Sequence, residues 1–266
     1  IVPFAIESLD LDQVDGGYLF LITAIGIASG AFIIGKLSRK RVEIGIACLA
    51  GGILSLLIVV LGLVDAYILA VIPLLIIIGF AGGIFAVPFD AYIQSESPET
   101  DRGGIVGAAN FFSFIGVAVA PFLILIFGSV LSLSPAQGFI ATGILFFLLT
   151  ILLARALSSH VFGTLARLLL KRRITLPEAE NALITIQSLS PKLILFVATG
   201  NRPVRFYTHS RPMAIFLSGI IPIRYTRSDL PPPRGHFPCL IGTPSADDKA
   251  KFDLYAMQSN GRLDVK

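Results

Sequence analysis

Residues 66–89 read AYILAVIPLLIIIGFAGGIFAVPF and contain no charged side chain. Because about 20 apolar residues in a helix cross the hydrocarbon core of a bilayer, this run is long enough to span a membrane. Other uncharged runs of that length lie at 16–35, 44–64 and 103–154. A straight helix through the last run would be more than twice as long as the core is thick, so its Gly, Ser and Pro residues predict a turn. The sequence therefore predicts five membrane-spanning helices, at about 16–35, 44–64, 66–89, 104–128 and 137–157.

The composition separates the chain into two parts. Of its 266 residues, 55% are hydrophobic and 14% are charged, whereas soluble domains carry about 25% charged residues. An ordinary soluble globular protein is therefore excluded. Residues 1–160 carry a net charge of −4, and residues 161–266 carry +8. Cys48 and Cys239 have no paired spacing, so neither a disulfide framework nor a cysteine-based metal site is predicted, and no cofactor is expected.

The basic residues predict the orientation of the helices. Lys and Arg follow the first, third and fifth predicted helices and are absent from the segments 1–15, 129–137 and around Asp65. By the positive-inside rule, this alternation places the N-terminus outside the cell and the tail in the cytoplasm. Because the sequence opens on Ile1 without a basic leader, we expect it to be part of a longer chain.

Small residues recur on the predicted helices. Gly26 with Gly30, and Gly79 with Gly83, form G-x-x-x-G pairs, and further small residues cluster at 104–109. Such residues let backbones approach closely where lipid provides no hydrophobic drive for association. They indicate close helix packing, and they are also compatible with helices that slide during transport.

Three polar residues at or near membrane depth are candidates for transport or for packing: Asp90, Arg102 and Asn110. Ionisable groups inside a membrane are costly to desolvate, which makes them candidates for function. Asp90 is either such a group or a carboxylate at the solvated boundary. Asn110 is either a helix–helix hydrogen-bonding residue or a substrate ligand, and both questions are open at this point.

Residues 35–45, GKLSRKRVEIG, connect the first two predicted helices. This segment resembles the loop signature of the major facilitator superfamily, in particular its second-half copy in bacterial lysophospholipid transporters. Residues 9–19, 87–94 and 101–111 are similar to the same family. The resemblance implies that 1–157 is a transporter domain in the bacterial inner membrane, an all-α polytopic fold holding helices eight to twelve of twelve. Lysophospholipid would be its substrate, and the N-terminal half of the same carrier its partner.

The resemblance also implies a cytoplasmic gating loop made of Gly35, Lys36, Ser38, Arg39, Lys40 and Arg41. Its cations can pair with carboxylates or with helix C-termini until transport breaks the contact. Ser38 stands where the general family motif has an acidic residue, so a charge relay through that carboxylate is not implied. The alternative is a basic cluster that only fixes the orientation of the helices.

The chain changes character after residue 157. Residues 158–176 are predicted to form an amphipathic linker along an anionic membrane surface. Its apolar face consists of Phe162, Leu165, Leu168 and Leu169. Short β-branched or aromatic runs predict strands at 182–186, 193–197, 204–207 and 219–224. Residues 177–266 are therefore predicted to be a small α/β domain.

Residues 161–230 resemble the glycerolipid acyltransferases, which some bacteria fuse behind such a carrier. The family uses a His followed five residues later by an Asp, but this chain has Ser188 and Leu193 at those positions. His160, His209 and His236 have no acid at that spacing either. No catalytic residue is therefore expected, and 177–266 is predicted to be a truncated or degenerate acyltransferase-like domain. Candidate contacts for lipid phosphates are Arg205, Arg224 and Arg227.

Three functions follow from these patterns. The first is a carrier that moves lysophospholipid across the inner membrane. The second is a membrane-anchored lysophospholipid acyltransferase whose catalytic motif is lost here, with acyl-CoA or acyl-carrier protein as a partner of the full-length fusion. The third is a tail that docks a separate acyltransferase. Membrane lipids are expected partners in each case, and nucleic acid is not, because topology already explains the basic tail.

Overall fold

The computed structural model describes residues 1–37, 42–64, 67–170, 176, 182–186, 190–200, 202–218, 221–226, 237–244, 252–257 and 263–265. The chain divides into two compact units, Ile1–Ala154 and Arg155–Lys266. The first unit is helical, and the second contains a β-sheet with helices packed against it.

Five long helices form the first unit, in agreement with the prediction. They are long and apolar enough to cross a membrane. They are α2 (Gln13–Leu37), α3 (Ile44–Leu63), α4 (Ile68–Glu96), α5 (Arg102–Leu125) and α6 (Pro135–Ala156). The π-helical turn Ile126–Val130 extends α5. A short helix, α1 (Val2–Leu9), precedes them, and the hydropathy pattern did not predict it because it is too short to span a membrane.

Helix α1 contributes to the packing of the first unit. Phe4 and Ala5 are buried, and the Phe4 ring meets Phe139 of α6 edge to face, with 5.2 Å between ring centroids. The other buried members of this cluster are Leu19, Leu61, Val71, Leu75 and Ala136. Asp10 ends α1 in the left-handed conformation with φ 53°. Helix α1 therefore packs against the beginning of α4, the beginning of α6 and the end of α3.

The turn between α5 and α6 lies within the predicted breaker segment. The Ser134 backbone N–H donates to Gln137 Oε1 at 3.0 Å, and the Gln137 N–H donates to Ser134 Oγ at 3.3 Å. This reciprocal pair is a capping box, which satisfies two donors at the start of α6.

Glycines bring α2 and α4 into backbone contact. A Cβ atom at Gly26 would lie 3.1 Å from the Gly79 Cα, and Gly30 lies equally close to α4. A Cβ atom at Gly83 would overlap the carbonyl oxygen of Ile27. The two predicted G-x-x-x-G pairs therefore face each other across one helix–helix contact.

The small residues at 104–109 have a different environment. At Gly104 and Gly107, no described atom lies within 4 Å of the position that a Cβ would take. Helix α5 has no buried residue within the described chain. Gly104 and Gly107 therefore do not mediate a close contact with another described helix.

The second unit is a small α/β fold, as predicted. Its helices are α7 (Ser158–Leu170), α8 (Pro191–Ala198) and α9 (Arg211–Leu217). Its strands are β1 (Ala182–Ile186), β2 (Val204–Thr208), β3 (Ile223–Tyr225), β4 (Phe237–Ile241), β5 (Asp253–Met257) and β6 (Leu263–Val265). The strand order is β3-β2-β4-β1-β5-β6, and all neighbouring strands are parallel except β5 and β6.

The predicted strand at 193–197 is wrong, because these residues form the middle of α8. Pro191 occupies the first turn of the helix, where its missing N–H needs no partner. Leu193, Ile194 and Val197 are buried, and they share one face of the helix at this spacing. A short apolar run fits a strand or a buried helix equally well, and here the packing determines which one forms.

Only part of the predicted apolar face of α7 packs against the sheet. Phe162 packs into the tail core, where its ring meets Phe206 edge to face with 6.2 Å between centroids. Leu165, Leu168 and Leu169 remain exposed. The face turned toward the core is instead completed by small buried residues, Ser159, Gly163, Thr164 and Ala166.

Candidate functional site

Close contacts determine the directions of the helices in the first unit. The G-x-x-x-G pairs of α2 and α4 meet in the same order along both helices, so these helices are parallel. Gly62 of α3 lies beside Ala136 of α6, and Gly143 of α6 lies beside Ser55 of α3, so α3 and α6 are antiparallel. Leu61 near the end of α3, Val71 near the start of α4 and Ala136 near the start of α6 share one buried cluster, so α3 and α4 are antiparallel. Residues 97–101 connect the end of α4 to the start of α5. The ends of α2, α4 and α6 therefore lie at one end of the bundle, together with the start of α5.

This end of the bundle carries basic side chains. Lys36 lies in the last turn of α2, Arg155 in the last turn of α6, and Arg102 begins α5. The opposite end includes the acidic residues around the start of α2, among them Asp12 and Asp15. The described Lys and Arg side chains of α2, α5 and α6 thus lie at one end of the bundle, as the positive-inside pattern requires, whereas acidic side chains occur at both ends.

A cleft of about 160 Å³ lies between α4 and α5 near the basic end. Its lining residues are Asp90, Ile93 and Gln94 of α4, and Val106, Ala109 and Asn110 of α5. On each helix the three residues follow an i, i+3, i+4 spacing, which places them on one face. The cleft therefore combines one carboxylate and two carboxamides with an apolar wall.

Asp90 and Asn110, identified separately in the sequence, meet in this cleft. Both side chains are exposed to it, and the Asn110 side chain forms no hydrogen bond with any described residue. The helix–helix hydrogen bond considered for Asn110 is therefore absent from the described part of the chain. Asp90 lies about 9 Å before the end of α4, and Asn110 about 12 Å after the start of α5, so the two residues lie at similar depth.

Gln94 is a lining residue that the sequence reading missed. It follows Asp90 by one helical turn and lies on the same face of α4. The i, i+4 spacing from Asp90 could have identified Gln94 from the sequence. Its carboxamide adds a second donor and acceptor group beside Asn110 and the Asp90 carboxyl group.

The predicted gating loop is described only at its start. Lys36 Nζ lies 4.3 Å from the centroid of the Phe32 ring, within the range of a cation–π contact. Gly35 has no described atom near the position of a Cβ, so it is not required for close packing. The predicted loop residues Ser38, Arg39, Lys40 and Arg41 lie outside the described residues. Arg102 is exposed at the start of α5 and does not line the cleft.

Comparison with known proteins concerns mainly this helical part. Residues 1–121 match the family model of the Major Facilitator Superfamily. This match supports a major facilitator superfamily fragment. It begins at α1 and ends within α5, so it includes every residue that lines the cleft. No curated protein and no solved structure matches the chain.

Over residues 1–121 the match suggests a membrane transporter of the major facilitator superfamily, and the five candidate spans suggest a multi-pass membrane protein. They do not extend to the transported substrate or to the tail, because α6 and the whole second unit follow the matched residues. Within the matched residues, Asp90, Gln94 and Asn110 together form a polar cleft between α4 and α5.

Two of the candidate phosphate-binding residues in the tail share a sheet face. Arg205 alternates along β2 with the buried Phe206, and Arg224 of β3 is in register with Tyr207. Since successive side chains of a strand point to opposite faces, Arg205 and Arg224 lie on the face opposite Phe206. Arg227, the third candidate, lies outside the described residues.

The positions aligned with the acyltransferase motif are described only in part. Residues 187–189, including Ser188, lie outside the described residues. Leu193 is 8% exposed and belongs to the tail core, so its position serves packing. His209 Nδ1 lies 3.0 Å from the Thr226 carbonyl oxygen. Burial raises the pKa of the Cys239 thiol, which makes it a poor nucleophile.

We expect Leu193→Asp to destabilise the tail by several kcal/mol, because it would bury a carboxylate with no partner. The measurement is the rate at which Cys239, which is fully buried, reacts with an alkylating reagent. Cys48 is replaced by Ala, so that Cys239 is the single thiol. Leu193→Met, which conserves volume, is the control. Equal protection of Cys239 in both variants would show that the site tolerates a carboxylate.

Proposed function

We propose that the chain is the C-terminal half of a major facilitator carrier that moves lysophospholipid across the bacterial inner membrane, with its tail in the cytoplasm. The family match and the five candidate spans support the carrier class. The resemblance of residues 35–45 to the loop of lysophospholipid transporters supports lysophospholipid as the substrate. The N-terminal half of the carrier would supply the rest of the substrate cavity.

The observation that carries this proposal is a polar cleft next to an uncovered apolar helix. Beyond Asn110, α5 presents large exposed side chains, including Phe111, Phe114 and Val117. A lysophospholipid has one charged headgroup and one acyl chain. The Asp90 carboxylate suits the ammonium group of an ethanolamine headgroup, the carboxamides can donate to its phosphate, and the apolar side of α5 suits the acyl chain.

The test is transport by the complete carrier that contains this chain, reconstituted in vesicles. We expect labelled lysophosphatidylethanolamine to move between leaflets faster than in vesicles without protein. Sugars and amino acids serve as comparison solutes in the same vesicles. If the carrier moves one of these solutes and no lysophospholipid, the proposed substrate is wrong, but the protein is still a carrier.

We also propose that the tail does not catalyse acyl transfer. The burial of Leu193 supports this, since the position aligned with the catalytic Asp belongs to the hydrophobic core. Purified protein should give no turnover of lysophospholipid with acyl-CoA or with acyl-carrier protein. Turnover that survives replacement of His160, His209 and His236 would point to different catalytic chemistry, and any turnover would favour the anchored acyltransferase.

A further inference from the structure

Two helices of the tail have uncovered apolar sides. On α7, Leu165 is 39% exposed, Leu168 59% and Leu169 72%. On α9, Ile215 is 77% exposed and Phe216 79%. Side chains of this size are normally buried when they cluster, so the clustering on two helices indicates a surface that contacts something apolar.

Both helices pack on the same face of the sheet. Phe162 of α7 meets Phe206 of β2, and Met213 and Leu217 of α9 pack against the cluster that contains Phe206. Their exposed residues therefore project from the outer surface of one layer. We call Leu165, Leu168, Leu169, Ile215 and Phe216 the helical apolar surface. Arg205 projects from the other face of the sheet and is not part of it.

Charge and sequence position indicate what covers this surface. Residues 161–266 carry a net charge of +8, and the exposed Arg211 begins α9 next to Ile215 and Phe216. Lys171, Arg172 and Arg173 follow α7 directly in the sequence. Only Leu157 separates the end of α6, a candidate membrane span, from the start of α7. Apolar side chains flanked by cations beside a membrane span are the combination that binds an anionic bilayer surface.

We propose that the helical apolar surface docks on the anionic surface of the membrane that α2 to α6 cross. Leu168, Leu169, Ile215 and Phe216 would enter the boundary between headgroups and acyl chains, and the flanking cations would pair with lipid phosphates. This surface includes α9, which the sequence did not indicate, and it excludes Phe162. It does not depend on which substrate the carrier moves.

The absence of tryptophan from the sequence gives a direct test. Phe216→Trp, in the full chain reconstituted in vesicles of phosphatidylglycerol and brominated phosphatidylcholine, places one fluorophore on the surface. We expect its emission to be lost nearly as fully as that of Phe20→Trp, since Phe20 is exposed on the span α2. Leu254→Trp is the control on the opposite sheet face, where Leu254 packs with Tyr207 and Leu240. Its emission should persist.

In a Cys48→Ala background, protection of Cys239 from alkylation first establishes that the tail of each variant is folded. Retained emission of a folded Phe216→Trp variant, with quenching of Phe20→Trp, would overturn the proposal. Equal quenching at positions 216 and 254 would also overturn it, because the contact would then have no preferred face. Retained emission that instead changes with protein density would identify a second copy of the chain as the occupant.

Discussion

Gly83→Leu is expected to destabilise the first unit strongly, whereas Gly82→Leu leaves its stability close to that of the parent. A Cβ atom at Gly83 would overlap the Ile27 carbonyl oxygen and would lie 2.7 Å from the Ala31 backbone nitrogen. At Gly82, no described atom lies within 4 Å of that position. Helix backbone cannot move aside as a flexible side chain does, so α2 and α4 must separate along their contact. We expect a loss of more than about 3 kcal/mol for Gly83→Leu.

The two variants form a matched pair, because neighbouring glycines of one helix gain the same helix propensity on substitution. Cys48 provides the measurement, since it is buried in α3 and Cys239→Ala leaves it as the single thiol. Thermal unfolding followed by a thiol-reactive dye in detergent should show early labelling of Cys48 in Gly83→Leu and native-like labelling in Gly82→Leu. Equal unfolding temperatures would show that α2 and α4 do not touch through these glycines.

The glycine pairs also show how far sequence patterns predict packing. The spacing of 26–30 and 79–83 was enough to predict a close contact, because small residues repeated at one helical turn leave a groove. Residues 104–109 have a similar composition, yet α5 has no buried residue within the described chain. Composition allows a close approach, but it does not specify a partner. The partner depends on the register of whole helices.

In the tail and in the cleft, too, local sequence indicates what a segment can form, and packing determines what it does form. Residues 182–186 and 193–197 are both short apolar runs, but the first is β1 and the second lies in α8. Pro191 begins that helix, and the sheet positions on either side of β1 are taken by β4 and β5.

Asp90 and Asn110 could each be identified from the sequence, because polar groups at membrane depth are costly. Their meeting depends on the register set by the connection 97–101, which hydropathy does not determine.

Asp90→Asn in the complete carrier is expected to lower the transport rate at least about tenfold, the equivalent of about 1.4 kcal/mol. Asp90 supplies the carboxyl group among the side chains that line the cleft, and Gln94 and Asn110 supply only neutral dipoles. The substitution keeps the size of the side chain and removes the charge. Glu99→Gln is the matched control, because Glu99 is an exposed carboxylate in the connection between α4 and α5 and does not line the cleft. It should transport at the rate of the parent.

Two substrates then separate the possible roles of the Asp90 carboxylate. If it pairs with the headgroup, Asp90→Asn should impair lysophosphatidylethanolamine, which carries an ammonium group, far more than lysophosphatidylglycerol, which does not. If it carries a proton or a coupling cation, both substrates should slow equally. Protection of Cys48 in the same samples shows that the helices are folded. Parent-like transport of both lipids by a folded Asp90→Asn variant would mean that Asp90 is a boundary carboxylate, and the cleft would then lose its place in the transport path.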